Sequence, residues 1–382
     1  MPVISLFVKL FFGTLLFLLV ISTGSCGVSV SQSGDDFSGD TVPLHHSTLL
    51  KMVECDSFTV ADIRNPWGGG LLHRYLLVPR SLPLPHNMPQ GTVLRIPLDN
   101  MLVFSTVHAN LLGSLRASAS IGGVCDSRYM LSAYIQEKIA DGSVIDCGSS
   151  LNVDVERLVQ LSPSAILVLP FENGGYGKLE KLPFPIVECV EYMESSPLAA
   201  AEWGRFYGRL VGRAAVADSL FSAVCSNFEQ LRSMVGDTLQ SPSLLCELKS
   251  NSAWYVPAGE STMGQIYKMA GADYLFSHCA GSGSVPLSFE TVLNRAANAD
   301  VWLIKYNSAS DKSYSSLLAD FAGYAHFKPF KERNIYACNT GKKPFYEETP
   351  FRPDLLLREL VAILYPQLLP TYKLRYYEKL QE

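Results

Sequence analysis

The sequence has no cluster of Lys and Arg, and its formal net charge is −5 over 382 residues. Nucleic-acid partners need concentrated positive charge, so they are excluded. No stretch after residue 40 combines low hydrophobicity with high charge, which excludes a long disordered region. The apolar run at residues 11–21 has 11 residues, short of the ~20 that a membrane-spanning helix requires. Enzyme signatures are also missing: no GxSxG, no Walker A loop, no HExxH and no GxGxxG after a strand. GSGS at 281–284 and GGG at 68–70 read as loops. The cysteines form no CxxC pair. From Cys55 onward their separations all exceed 20, so zinc-finger spacing and dithiol redox motifs are absent.

What is present is the composition of a globular protein. With 48% hydrophobic, 18% charged and 11% aromatic residues the chain can bury a large core. It is too long for one ordinary core of roughly 100–200 residues, so two domains, or two lobes sharing a connector, are expected. Residues 1–26 read as an export signal: Lys9 supplies the positive end, FFGTLLFLLVI the apolar run, and STGSC small residues before Cys26. The pattern resembles a bacterial lipoprotein signal, in which the cysteine becomes the acylated N-terminus, although Thr23 stands where an aliphatic residue is usual. An uncleaved anchor and ordinary cleavage are the alternatives. Residues 27–45, rich in Ser, Gly and Asp, are expected as a flexible tether, with His45 and His46 as tether residues at its end. Eight cysteines then remain, and burial as small apolar residues is as good an account of them as a disulfide framework.

The strongest periodic signal lies at the centre. Ser196 and Pro197 suit a helix N-terminus. Apolar residues then recur at steps of three or four: Trp203, Phe206, Leu210, Ala214, Ala217, Phe221, Val224, Phe228, Leu231 and Val235. This spacing predicts one continuous helix over 197–236, roughly 55–60 Å long at ~1.5 Å per residue. Gly204, Gly208 and Gly212 sit beside Arg205, Arg209 and Arg213, so the segment is not lipid-facing, and the glycines imply close approach of another element.

On either side, strand and helix patterns alternate. Before the helix, 95–105, 121–126, 164–170 and 185–190 read as strands, and 107–115, 127–140 and 153–161 as helices. After it, 243–248, 300–306 and 334–339 read as strands and 261–271, 288–298 and 313–322 as helices. SFTVADIRNPW and LLHRYLLVPR add N-terminal strands. The predicted fold class is α/β: two lobes, each a mainly parallel sheet flanked by helices, at 46–196 and 237–382, joined by the long helix.

Five segments in order carry a resemblance that covers nearly the whole of residues 90–380: VIDCGSSLNVDVERLVQLSPSAILVL, YMESSPLAAAEW, WYVPAGESTMGQIYKMAGADYLF, LSFETVLNRAANADVWLI and FRPDLLLRELVAILYPQLLPTYKLRYYEKL. The chain resembles the helical-backbone substrate-binding lipoproteins of ABC importers for iron-siderophores, haem and cobalamin, in their Bacteroidetes form. Ser164 departs from the Asp usual after Pro163. The resemblance implies a monomer without resident cofactor or catalysis, tethered by lipid on the periplasmic side. It would capture one metal complex between lobes that move little and pass it to a membrane permease.

The ligand is expected at the carboxyl ends of the strands where the lobes face each other. Candidates in the N-lobe are His108, Tyr129 and the turn Gly148, Ser149 and Ser150; in the C-lobe they are Trp254, Tyr255, Met263 and Tyr306. Aromatic walls suit a bulky chelate, though each of these residues could equally be core packing. The resemblance also implies one docking carboxylate per lobe, with Glu180 and Glu290 as candidates. A surface lipoprotein with an adhesive or structural role and a chelatase-like enzyme are the competing readings.

Overall fold

The computed structural model describes residues 37–236 and 240–382. The expected signal at 1–26, including Cys26, and the first part of the expected tether lie outside the described residues. The last part of that tether is folded instead. Strand β1 (Asp40–Thr41) pairs antiparallel with β2 (Leu50–Glu54), and Val42 is buried. The backbone amides of His45, His46 and Ser47 donate to the buried Glu202 carboxylate at 2.9, 2.8 and 2.8 Å. A buried carboxylate must find donors, and successive free N–H groups supply them. His45 and His46 therefore belong to the fold, and the His46 ring meets Phe221 edge-on at 5.9 Å.

Strands β1 and β2 continue through β3 (Thr59–Arg64), β4 (Leu71–Pro79) and β5 (Thr92–Ile96) as a five-stranded sheet. All its pairings are antiparallel except β4 with β5. The single strand expected over 95–105 is two strands in different sheets, because Pro97 ends β5 and has no N–H to continue the ladder.

The N-lobe core is a parallel sheet in the order β12 (Ile186–Glu188), β11 (Ile166–Val168), β6 (Met101–Val103), β7 (Ile121–Val124), β8 (Ile145–Asp146). A hairpin, β9 (Gly148–Ser149) with β10 (Asn152–Val153), follows it. Helices α1 (Thr106–Ser114), α2 (Ala133–Ala140) and α3 (Val155–Leu161) are capped by the side chains of Ser105, Ser132 and Asp154. The helix expected over 127–140 begins only at Ala133, since Ser132 is its cap and Ser127–Tyr129 form a separate tight turn.

The C-lobe repeats the plan. Its sheet runs β16 (Asp273–Tyr274), β13 (Ser243–Cys246), β18 (Val301–Tyr306), β19 (Ile335–Asn339), all parallel, with β20 (Glu378–Lys379) antiparallel at the edge. A small antiparallel sheet of β14 (Lys249–Ser250), β15 (Ala253–Pro257) and β17 (Ser284–Leu287) lies beside it.

Between the lobes the expected 40-residue helix is three: α4 (Pro197–Glu202), α5 (Gly204–Leu210) and α6 (Ala214–Val235). Gly212 adopts φ +65° and turns the chain back on itself. A Cβ on Gly208 would overlap that of Ala217, so α5 and α6 are in close contact. Arg205 Nε reaches Asp218 at 2.7 Å, whereas a straight helix would separate residues 13 apart by about 20 Å. The connector that crosses between lobes is α6 alone, 22 residues and so about 33 Å long. Its apolar stripe is divided: Ala217 lies in the N-lobe core, and Phe221, Val224, Phe228, Leu231 and Val235 in the C-lobe core.

The remaining helices, α7 (Thr262–Met269), α8 (Phe289–Ala296), α9 (Tyr314–Asp320), α10 (Lys328–Lys331), α11 (Phe345–Glu348) and α12 (Pro353–Leu364), belong to the C-lobe sequence. Phe351, between α11 and α12, nevertheless packs into the N-lobe core, and Glu347 accepts a hydrogen bond from the Leu131 amide at 2.8 Å. The lobes are thus tied at more than the connector. Among the described residues no helix is long and apolar enough to cross a membrane.

Candidate functional site

Both parallel sheets point their carboxyl ends at the space between the lobes, and the cleft there is built from the residues that follow each strand. A cavity of about 640 Å³ is lined on the N-lobe side by Ser105, Val107, Leu169, Phe171, Glu191 and Tyr192, and on the C-lobe side by Glu247, Pro257, Met263, Lys305, Phe345 and Tyr346 among others. A second cavity of about 550 Å³ shares Glu247, Lys305 and Tyr346 with it and adds Thr106, Arg128, Tyr129 and Leu131 opposite Tyr306, Asn307, Thr340, Gly341, Lys343 and Glu347. The two are ends of one cleft meeting at Tyr346 and Lys305. A third, of about 410 Å³, adjoins it within the N-lobe and shares Leu169 and Phe171.

The walls are aromatic and the centre is charged. Phe171, Tyr346, Tyr129 and Tyr192 stand 67, 56, 51 and 45% exposed at the cleft surface, which is costly unless a ligand covers them. At the centre Lys305 pairs with Glu247 Oε1. Burial by itself would lower the lysine pKa, but the Glu247 charge more than reverses this and raises it above the ordinary value. Lys305 also sits 5.5 Å from the centroid of the Phe345 ring. Arg128 lies 4.6 Å over the Tyr129 ring. The Tyr306 hydroxyl accepts from the Lys312 amide at 2.9 Å, and burial raises its pKa.

Such a two-lobed frame, with one helix crossing between parallel sheets and a cleft at their carboxyl ends, is matched over residues 111–340 by the family model described as periplasmic binding protein. The chain belongs to the periplasmic binding protein family. It is 26% identical over 298 residues to an uncharacterised lipoprotein of Methanocaldococcus jannaschii, covering 75% of this chain and 70% of that one. In fold it is similar to the periplasmic haem-binding protein HutB of Vibrio cholerae, with TM-score 0.56 and 16% identity, over 70% of this chain and 99% of the other. It is equally similar to the molybdate-binding protein MolA of Haemophilus influenzae, with TM-score 0.56 and 17% identity, over 72% of this chain and 89% of the other.

In this periplasmic binding protein, Tyr129, Met263 and Tyr306 line the inter-lobe cleft. Ser150 lines the adjoining N-lobe cavity, where its Oγ donates to Asp126 Oδ2 at 2.5 Å. Gly148 and Ser149 are exposed in the β9 strand and line none of these cavities. Three expectations are corrected. Trp254 is fully buried in the C-lobe core, stacked on Trp302 at 5.6 Å, with Nε1 donating to the Cys246 carbonyl at 2.9 Å. Tyr255 faces the opposite side of β15 and is absent from the cleft lining. Strand alternation sends one ring to the core and the other to solvent, and β15 belongs to the small antiparallel sheet.

His108 is also beneath the cleft rather than on its wall, being 1% exposed on the inward face of α1. Its Nε2 lies 2.6 Å from Glu191 Oε1, and the Tyr207 hydroxyl donates to Glu191 Oε2 at 2.8 Å. Burial would lower the His108 pKa, but the neighbouring Cys189 and Glu191 raise it. As for the docking candidates, Glu290 is exposed in the first turn of α8, and Glu180 accepts from the Tyr176 amide at 2.5 Å.

Sequence reading missed Phe171, Tyr192, Glu247, Lys305 and Tyr346. Signals for three of them were present. Phe171 follows β11 and Glu247 follows β13 directly, and Lys305 is a lone charge in the otherwise apolar strand VWLIKY.

Proposed function

We propose that this chain is the extracytoplasmic substrate-binding component of an ABC importer, capturing a metal complex (an iron-siderophore, haem or cobalamin) between its lobes and delivering it to a membrane permease. The observation that carries this reading is the inter-lobe cleft, where exposed aromatic rings from both lobes surround Lys305 and Arg128. Flat rings give large contact area at small entropic loss, and the exposed Arg128 suits the anionic periphery of a chelate, whereas Lys305 is already balanced by Glu247. The contact across Glu347 and Phe351, together with the crossing helix, favours lobes that close little. The chain is read as a monomer that Cys26, as acylation site, would hold at the periplasmic face of a membrane; the lipoprotein name of a relative supports the lipid anchor.

The test is titration of the purified protein with haemin, several ferric siderophores and cyanocobalamin, with molybdate alongside, followed by visible absorbance and fluorescence. Saturable 1:1 binding of one chelate at micromolar or tighter supports the reading and identifies the cargo class. Binding of none favours an adhesive or structural surface lipoprotein. For docking, Glu290 and Glu180 are the proposed contacts with the permease. Glu290→Ala should leave ligand affinity unchanged while lowering uptake in cells, and normal uptake would remove Glu290 from that role.

A further inference from the structure

Directly under the N-lobe half of the cleft, three side chains of different chemistry converge. A ring nitrogen of His108, the sulfur of Cys189 and a carboxylate oxygen of Glu191 lie within 4.8 Å of one another, all buried. Among the described residues this is the one grouping of three or more His, Cys, Asp or Glu side chains able to surround an ion. The elements that assemble it are fixed: α1 carries His108, and Cys189 and Glu191 follow the carboxyl end of β12.

Hydrogen bonding within the cluster is incomplete. Nε2 of His108 is engaged by Glu191, but its Nδ1 is buried with no partner. Buried polar atoms are nearly always satisfied, so Nδ1 calls for an unplaced water, whereas an ion shared with Glu191 would sit on Nε2, the nitrogen that faces that carboxylate. The Cys189 thiol has only a weak contact to the Val187 carbonyl at 3.4 Å and lies within reach of the His108 ring and the Tyr207 hydroxyl. A purely structural His–Glu pair has no need of this third donor.

We propose that His108, Cys189 and Glu191 bind one borderline divalent transition-metal ion of the zinc or cobalt class. Thiolate, imidazole and carboxylate together are a donor set that selects such ions over calcium or magnesium. With metal–nitrogen and metal–oxygen bonds of ~2.0 Å and a metal–sulfur bond of ~2.3 Å, the donors must stand about 3.3–3.7 Å apart, so adjustments of about an ångström complete the set. One thiolate and one carboxylate balance a dication, leaving the buried site neutral. The Tyr207 oxygen, 3.2 Å from His108 Nε2, or a water takes the fourth position. Glu191 also lines the cleft, which supplies the entry path. The site is independent of chelate import: it lies in one lobe and needs no ligand in the cleft.

The experiment is titration of chelator-treated protein with Co²⁺. The expected result is a thiolate-to-cobalt charge-transfer band that saturates at one equivalent and disappears when Zn²⁺ displaces the cobalt. Cys189→Ser, with unchanged circular dichroism, should lose the band and bind Zn²⁺ at least tenfold more weakly. Because that variant could misfold, zinc-edge X-ray absorption of the wild-type protein gives a second readout, with one sulfur and the remaining donors nitrogen or oxygen expected. Absence of the band, its survival in Cys189→Ser, or a zinc shell without sulfur overturns the proposal.

Discussion

Lys305 and Glu247 form the charged centre of the cleft, and their worth can be worked from their surroundings. The Lys305 side chain is 8% exposed and that of Glu247 20% exposed. Removing one member of a buried pair costs about 3–5 kcal/mol, because the other charge is left uncompensated. Glu247→Gln strands the less accessible ammonium, so it should lie within that range. Lys305→Met strands a carboxylate that is one-fifth exposed and regains some water, so about 2–3 kcal/mol is expected. The double variant removes both charges, and the apolar chain of Met still fills the space over Phe345. It should return to within ~1 kcal/mol of the wild type, since replacing a whole buried pair is often neutral. Urea unfolding of the four proteins, with equal m-values as the check on the unfolded state, measures the cycle. Additive losses would refute the pairing. The pH dependence follows from the sign of the shift. The folded pKa of Lys305 is raised, so its contribution is fully present below the unfolded value of ~10.4 and is lost only as pH rises toward the folded value. From pH 6 to 9 the double and wild-type proteins should therefore differ by a constant amount.

The acid side rests on other groups. Asp300 accepts from the Ser243 amide and hydroxyl at 2.9 and 2.7 Å and from Lys328 at 2.8 Å. Burial opposes its ionisation, but Lys328 and Ser243 prevail and hold its pKa at about 2. Because the folded value is depressed, its contribution is present above the unfolded value of ~3.9 and fades as pH falls toward the folded one. Asp300→Asn should remove that part of the acid loss in a series of thermal melts between pH 5 and 2. At the α5–α6 contact, Gly208→Val places carbon where Ala217 already sits and should cost about 1–3 kcal/mol as overpacking, read as a lowered urea midpoint.

Where the fold departs from the local sequence pattern, the departures share a cause. The stripe from Trp203 to Val235 is genuine, and its residues are core residues almost throughout. Periodicity does not register the turn at Gly212, since a stripe continues across a tight turn whenever both arms bury the same kind of surface. Chemical type and a place near a strand end point to Trp254 and His108 as ligands, but neither type nor place reveals which face is buried. His45 and His46 looked like tether because their own segment is polar, while the carboxylate that pins their amides, Glu202, lies more than 150 residues away.

Sequence alone determined the local elements and the class. Ser196 does cap the helix that follows it, and buried apolar runs such as SAILVLP did become parallel strands. These depend on neighbours within a turn or two, and local pattern carries them. Only the tertiary structure decided that the connector is one helix of three, that Lys305 faces Glu247 across adjacent strands, and that His108, Cys189 and Glu191 meet beneath the cleft. Those juxtapositions join residues up to 83 apart in the chain, and burial in a shared core, not any local preference, holds them together.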